Sequence, residues 1–155
     1  MVTNLQEELR QRTPFKSLEQ EAQLNIVRTA TVLMDAFDRL VKPFGISAPQ
    51  YNVLRILRGA GSEGLCRNEL RGRLVRRMPD VTRLLDRMEE SGLVSRSRES
   101  SDRRLVSTRI TDKGRRLLDK LENLVDEEHE RRMGHLNDPQ LKTLIELLTL
   151  VRHQT

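Results

Sequence analysis

Apolar and small residues recur at Leu18, Ala22, Ile26, Ala30, Leu33, Phe37, Leu40 and Val41, which places one side of a long helix on a core. That helix should stop at Lys42-Pro43-Phe44-Gly45, because proline cannot continue the hydrogen-bond ladder and glycine permits the reversal. Ser47-Ala48-Pro49-Gln50 has the spacing of a capping box, and Tyr51, Leu54, Ile56 and Leu57 carry the helix behind it into the core. A glycine-rich loop, residues 58–64, closes that helix. A short helix over 67–74, with Leu70 and Leu74 inward, then leads through the polar turn 75–78 to another helix. Pro79 is expected at the first position of that next helix, where its missing N–H costs nothing. Val81, Leu84, Leu85 and Met88 form its single apolar stripe, and Gly92 ends it.

Two stretches of strand character, residues 93–96 and 105–110, flank the polar run 99–103 and predict a β-hairpin with a charged tip. Thr111 is the expected N-cap of a long helix striped by Leu117, Leu118, Leu121, Leu124 and Val125 and running to about Met133. The acidic run Asp126-Glu127-Glu128 reads as a solvated face of it. Asp138 is the expected cap of a last helix, with Pro139 as its first residue. Leu141, Leu144, Ile145, Leu147, Leu148, Leu150 and Val151 cover more than one face of that helix, so one face is expected to meet a second copy of the chain.

The chain has 155 residues, the size of one small domain with flanking elements, and a formal net charge of +5. That charge is unevenly placed. Between Leu65 and Arg116 stand 15 basic and 8 acidic residues, while the remainder carries a slight negative excess. Of the 28 basic residues, 23 are Arg, whose planar, bidentate guanidinium suits phosphate and guanine. One Tyr and three Phe are too few for a base-stacking platform, so duplex DNA is favoured over single strands or RNA as the anionic partner.

The single cysteine, Cys66, excludes an intramolecular disulfide and fits a reducing, cytoplasmic setting. The polar N-terminus has no signal-peptide core, and no run approaches the ~20 apolar residues of a membrane span, so no membrane partner is expected. His129, His135 and His153 lack metal-ligand spacing. With no Ser/His/Asp set, phosphate loop or paired carboxylates, neither an enzyme nor a cofactor is expected.

Helix, turn, helix and charged hairpin is the order of a winged helix-turn-helix, in which the second helix of the pair enters the major groove. The stretch Val81-Thr82-Arg83-Leu84-Leu85-Asp86-Arg87-Met88-Glu89, followed by Gly92-Leu93-Val94-Ser95-Arg96, then Asp102-Arg103-Arg104, then Ile110-Thr111-Asp112-Lys113-Gly114, resembles the MarR family of bacterial transcriptional regulators. That family's pattern is V-T-R-L-x-D-R-L-E-x-x-G-L-V-x-R, then D-x-R, then L-T-x-x-G. Ser47-x-Pro49-Gln50-Tyr51 is similar to the family's entry to its second helix. The likeness in motif covers residues 46–116; the flanks match in helix placement. The chain departs from the pattern at Cys66, where Thr or Ser commonly caps the short helix, and at residues 76–79, which lack the capping Ser.

The fold expected is mainly α with a small antiparallel hairpin. A winged DNA-binding lobe spans 46–111, and a helical dimerisation lobe is built from 1–45 and 112–155. On the recognition helix, Arg77, Pro79, Asp80, Thr82, Arg83 and Arg87 lie at the amino-terminal end or off the buried stripe. Arg83 and Thr82 are the expected base contacts, with pairing of Arg83 or Arg87 to Asp80, Asp86 or Glu90 as the ordinary alternative. In the wing, the resemblance implies that Asp102 orients Arg104 into the minor groove. Arg98, Ser101 and Arg103 stand beside them, and a simple surface ion pair is the alternative. Arg96, Arg98, Arg115 and Arg116, with Gln50 and Asn52 as weaker candidates, are expected on phosphates.

The implied function is a sequence-specific regulator, a repressor, that binds a pseudo-palindromic operator as a homodimer. A small effector, phenolic or otherwise apolar and anionic, follows from the resemblance alone. Two other readings stay open: a non-specific architectural DNA-binding protein, and a thiol-based redox regulator acting through Cys66, whose place beside Arg67 at a helix start would favour a thiolate.

Overall fold

The computed structural model describes residues 3–98 and 106–153. The chain separates into two compact units, with the boundary between Arg39 and Leu40. The first contains a single helical turn, α1 (Leu5–Glu8), behind a capping box in which the Glu7 N–H donates to Asn4 Oδ1 at 2.9 Å. Helix α2 (Leu18–Val41) ends where expected, in a 3₁₀ turn at Lys42–Phe44 with Gly45 at φ 75°. The stripe expected on a core is not buried as such: of its residues Val41 alone is buried, Leu18 and Ala22 are exposed, and Val27, Val32 and Met34 are exposed beside them.

In the second unit α3 (Ala48–Ala60) opens on the expected capping box, in which Gln50 Oε1 accepts from the Ser47 N–H at 2.9 Å. Val53, Leu54 and Leu57 are its fully buried residues, whereas Tyr51 and Ile56 are half-buried. Beyond a 3₁₀ turn come β1 (Leu65–Cys66), α4 (Arg67–Arg73), α5 (Val81–Glu90), β2 (Val94–Arg98), β3 (Val106–Ile110), α6 (Asp112–Met133) and α7 (Asp138–Arg152). The core is formed by Leu54 and Leu57 of α3, Leu70 of α4, Leu85 and Met88 of α5, and Leu118 and Leu121 of α6. Each contributes about 1.5–3 kcal/mol of burial.

The expected hairpin pairs Val94 with Ile110 through Arg98 with Val106, and β1 adds a third antiparallel strand, pairing Leu65 with Thr108, in the order β1-β3-β2. Gly64 makes that addition feasible. It holds φ at 72°, and a Cβ there would stand 2.5 Å from the Thr108 carbonyl oxygen and 2.7 Å from Ser107 Oγ. The wing is also tied at its base: Thr111 Oγ1 donates to the Gly92 carbonyl at 2.6 Å and accepts from the Gly114 N–H at 3.1 Å. Helix α5 closes in a Schellman arrangement, with the Leu93 N–H on the Met88 carbonyl, the Gly92 N–H on that of Glu89, and Gly92 at φ 73°.

Three further expectations need correction. Pro79 lies before α5 and not at its first position, because Asp80 is the N-cap, its carboxylate accepting from the Arg83 N–H at 2.9 Å. At α7 the cap is Asn137 and not Asp138, because only Asn137 stands three residues before Gln140, which returns the bond to complete a capping box. Finally, Glu128 is not solvated: it is 6 % exposed, and Arg131 and Arg132, one turn on, both bond its carboxylate and hold its pKa below the ordinary value. Helix α7 buries none of its residues, and Ile145, Leu147, Leu150 and Val151 are all more than half exposed.

Candidate nucleic-acid interface

Helix α5 divides cleanly. Val81, Leu84, Leu85 and Met88 are buried, which turns Thr82, Arg83, Arg87 and Glu90 outward. Its amino-terminal end is fixed by the Asp80 cap, so Asp80 acts on the helix backbone. The turn before it is pinned from α3, where Asn52 Oδ1 accepts from the Val75 N–H at 3.0 Å. Among the described residues neither Arg83 nor Arg87 forms an ion pair, so the ordinary alternative of pairing along the helix is not realised between them. Both guanidiniums are exposed.

Asp86 and Glu89 of α5 turn to Arg96 on β2. Arg96 Nη2 lies 2.6 Å from Asp86 Oδ1 and 2.6 Å from Glu89 Oε2, and Arg96 Nε donates to Glu89 Oε2 at 2.9 Å. These bonds hold the Glu89 carboxyl below its ordinary pKa and push the Arg96 guanidinium up. Arg96, placed on phosphate from the sequence, is therefore a brace between wing and recognition helix.

Of the other candidates, Arg77 and Pro79 are exposed and border a groove of about 600 Å³ with Asn68 and Arg71. Arg98 is exposed at the end of β2, and Arg115 and Arg116 on the first turns of α6. Gln50 and Asn52 hold internal hydrogen bonds. Ser101, Asp102, Arg103 and Arg104 lie outside the described residues. Cys66 is half-buried; the Glu69 carboxylate accepts from its N–H at 2.8 Å, and bonding to Cys66 holds the Glu69 pKa low. The guanidinium of Arg67 is directed to Thr82 Oγ1, at 3.2 Å. No cluster of His, Cys, Asp or Glu among the described residues could hold a metal, and no helix among them is long and apolar enough to cross a membrane.

From the sequence Arg67 enters only as the neighbour of Cys66. It sits on α4, the positioning helix of the pair, and only the fold brings it to the recognition helix; its exposure and charge match those of Arg71, Arg73 and Arg76.

Comparison with known proteins places this arrangement. The model of the MarR family matches residues 46–106. The crystal structure of a MarR transcription factor from Planctomyces limnophilus is 42 % identical and superposes with a TM-score of 0.68 over 88 % of this chain and 99 % of that one. The transcriptional repressor CouR bound to a 23-mer DNA duplex is 27 % identical, with a TM-score of 0.75 over 91 % of this chain and 100 % of that one. CouR from Rhodococcus jostii RHA1 bound to p-coumaroyl-CoA is 26 % identical, with a TM-score of 0.74 over 91 % and 98 %. With its exposed arginines on a capped recognition helix beside a small antiparallel sheet, the chain belongs to the MarR family of transcriptional regulators and is not an enzyme.

Proposed function

We propose that the chain is a sequence-specific repressor that binds a pseudo-palindromic operator as a homodimer and is released by a small molecule. The observation that carries the reading is the outward face of α5, where Arg83 and Arg87 are exposed without an ionic partner among the described residues, on a helix whose other face is locked into the core. An arginine presented this way is free to make bidentate hydrogen bonds to guanine. The duplex-bound relative supports double-stranded DNA as the partner; on this reading the DNA-binding lobe spans 46–111 and the dimerisation lobe is built from 1–45 and 112–155. Asp102 and Arg104 are assigned to the minor groove, with Arg98, Arg115 and Arg116 on phosphates. The exposed apolar residues of α7 support the homodimer. The p-coumaroyl-CoA complex of a relative supports an effector that is phenolic or otherwise apolar and anionic.

Selection of bound sequences from a random duplex library tests this directly. The expected product is two inverted half-sites about one helical turn, ~34 Å, apart, preferred over scrambled duplex by ~10³-fold or more. Equal affinity for scrambled DNA would establish a non-specific architectural protein instead.

A further inference from the structure

The Arg67–Thr82 contact has a consequence for which bases the protein accepts, and it rests on the DNA-binding reading above. A threonine hydroxyl has one proton to donate and two lone pairs to accept with, so unconstrained it satisfies either kind of base edge. Here an N–H of the Arg67 guanidinium donates to Thr82 Oγ1 at 3.2 Å, which occupies one lone pair. Among the described residues the hydroxyl proton is given to no carbonyl. Thr31 and Thr149, inside α2 and α7, donate theirs to Val27 and Ile145, four residues back. Thr82 is the second residue of α5, and the residues three and four back, Pro79 and Met78, both precede the helix. Both Arg67 and Thr82 are exposed, on a concavity shared with Asn68 and Val106.

We infer that Arg67 is a specificity-determining residue that biases Thr82 toward donating, because a second N–H donor would have to approach the remaining lone pair beside the Arg67 guanidinium, so that the pair prefers a base presenting an acceptor in the major groove over cytosine. The positive charge behind the hydroxyl works in the same direction, favouring the electron-rich O6 and N7 of guanine. Thymine O4 and adenine N7 are also acceptors, whereas cytosine offers only its N4 amino donor. The discrimination comes from the helix-turn-helix pair as a unit and not from the recognition helix alone.

The test is sequence selection from a random duplex library with the full chain and its Arg67→Ala, Thr82→Val and doubly substituted variants, with helicity checked by circular dichroism. The unaltered chain is expected to exclude cytosine at one position per half-site by roughly tenfold. Arg67→Ala returns a lone pair to Thr82 and should cut that exclusion to within about twofold, leaving the other positions as they were. Thr82→Val should change the same position, and the double variant should add nothing further there. If Arg67→Ala instead weakens all duplexes alike with a shallower salt dependence, Arg67 is a phosphate contact and the inference falls while the regulator reading stands. If the unaltered chain prefers no sequence, both fall.

Discussion

Arg96 and Glu89 are joined through the backbone as well as the side chains: the Arg96 N–H donates to Glu89 Oε1 at 3.1 Å while its Nε and Nη2 reach Glu89 Oε2 at 2.9 and 2.6 Å. The first strand of the hairpin, β2, is thereby fixed against α5. Arg96 is 24 % exposed, which screens the pair but does not remove it. Replacing Arg96 with Ala is expected to cost about 1–2 kcal/mol in urea unfolding, with a coupling of at least ~0.5 kcal/mol to Glu89→Ala in a double-mutant cycle. A purely phosphate-binding Arg96 would leave stability unchanged.

The same pair sets a pH dependence. Bonding to Arg96 lowers the Glu89 pKa from its ordinary value of 4.5, so the folded state holds the carboxylate more strongly than the unfolded chain does. A depressed folded pKa contributes stability that is fully present above the unfolded value and lost as pH falls through the folded one. Wild type should therefore exceed Glu89→Gln in stability by a constant margin above about pH 5, and the margin should shrink as pH falls below 4.5. Thermal melts of both proteins from pH 3 to 7 measure it; a margin independent of pH would rule out the ionised pair.

What the sequence makes legible here is what depends on local period and local chemistry. The Val81-Leu84-Leu85-Met88 stripe, the Ser47 and Thr111 caps and the Pro43 stop each follow from residues within one or two turns. Strand β1 was not legible, because two residues carry no period and their pairing partner lies more than forty residues away. Nor was the partner of Arg96: Asp86 and Glu89 lie along α5 at a spacing that fits a solvated face equally well, and only the packing of β2 on α5 decides. Glu128 was readable in principle, since Arg131 and Arg132 stand at the i+3 and i+4 positions where helix ion pairs form.

Gly64 is predicted to tolerate no side chain. An alanine there would face a left-handed φ and a Cβ to oxygen approach of 2.5 Å against the Thr108 backbone, which cannot retreat without breaking β1 from β3. Gly64→Ala should lose at least ~2 kcal/mol of stability, seen as a lowered urea midpoint. Gly72→Ala, with nothing within 4 Å of its Cβ, is the matched control and should not destabilise.

Arg83 and Arg116 should separate specificity from affinity. Arg83→Ala removes a guanidinium from the base-facing side of α5 and is expected to relax selectivity at one position of each half-site by ~1–3 kcal/mol. Arg116→Ala, on the exposed side of α6, should weaken every duplex alike and reduce the slope of log affinity against log salt by about 1. Titrations of operator and scrambled duplex at several salt concentrations distinguish the two. If neither substitution alters binding, α5 is not in the groove.

Substitutions on α7 should break assembly without breaking the fold. Ile145 is 62 % exposed and Leu150 69 %, so neither contributes much burial within one chain, and Ile145→Asp with Leu150→Asp should leave helicity and the unfolding slope nearly unchanged. Across a two-fold axis each substitution enters twice, and two carboxylates per subunit would have to lose water at the contact. The expected result in sedimentation equilibrium is a shift from dimer to monomer, with the dimer dissociation constant raised more than ~100-fold. Because two recognition helices on one duplex act through high effective concentration, the monomer should still select a half-site but lose most of its preference for the inverted pair. A variant that stays dimeric would place the subunit contact elsewhere, with the exposed Val27 and Val32 of α2 the next positions to substitute.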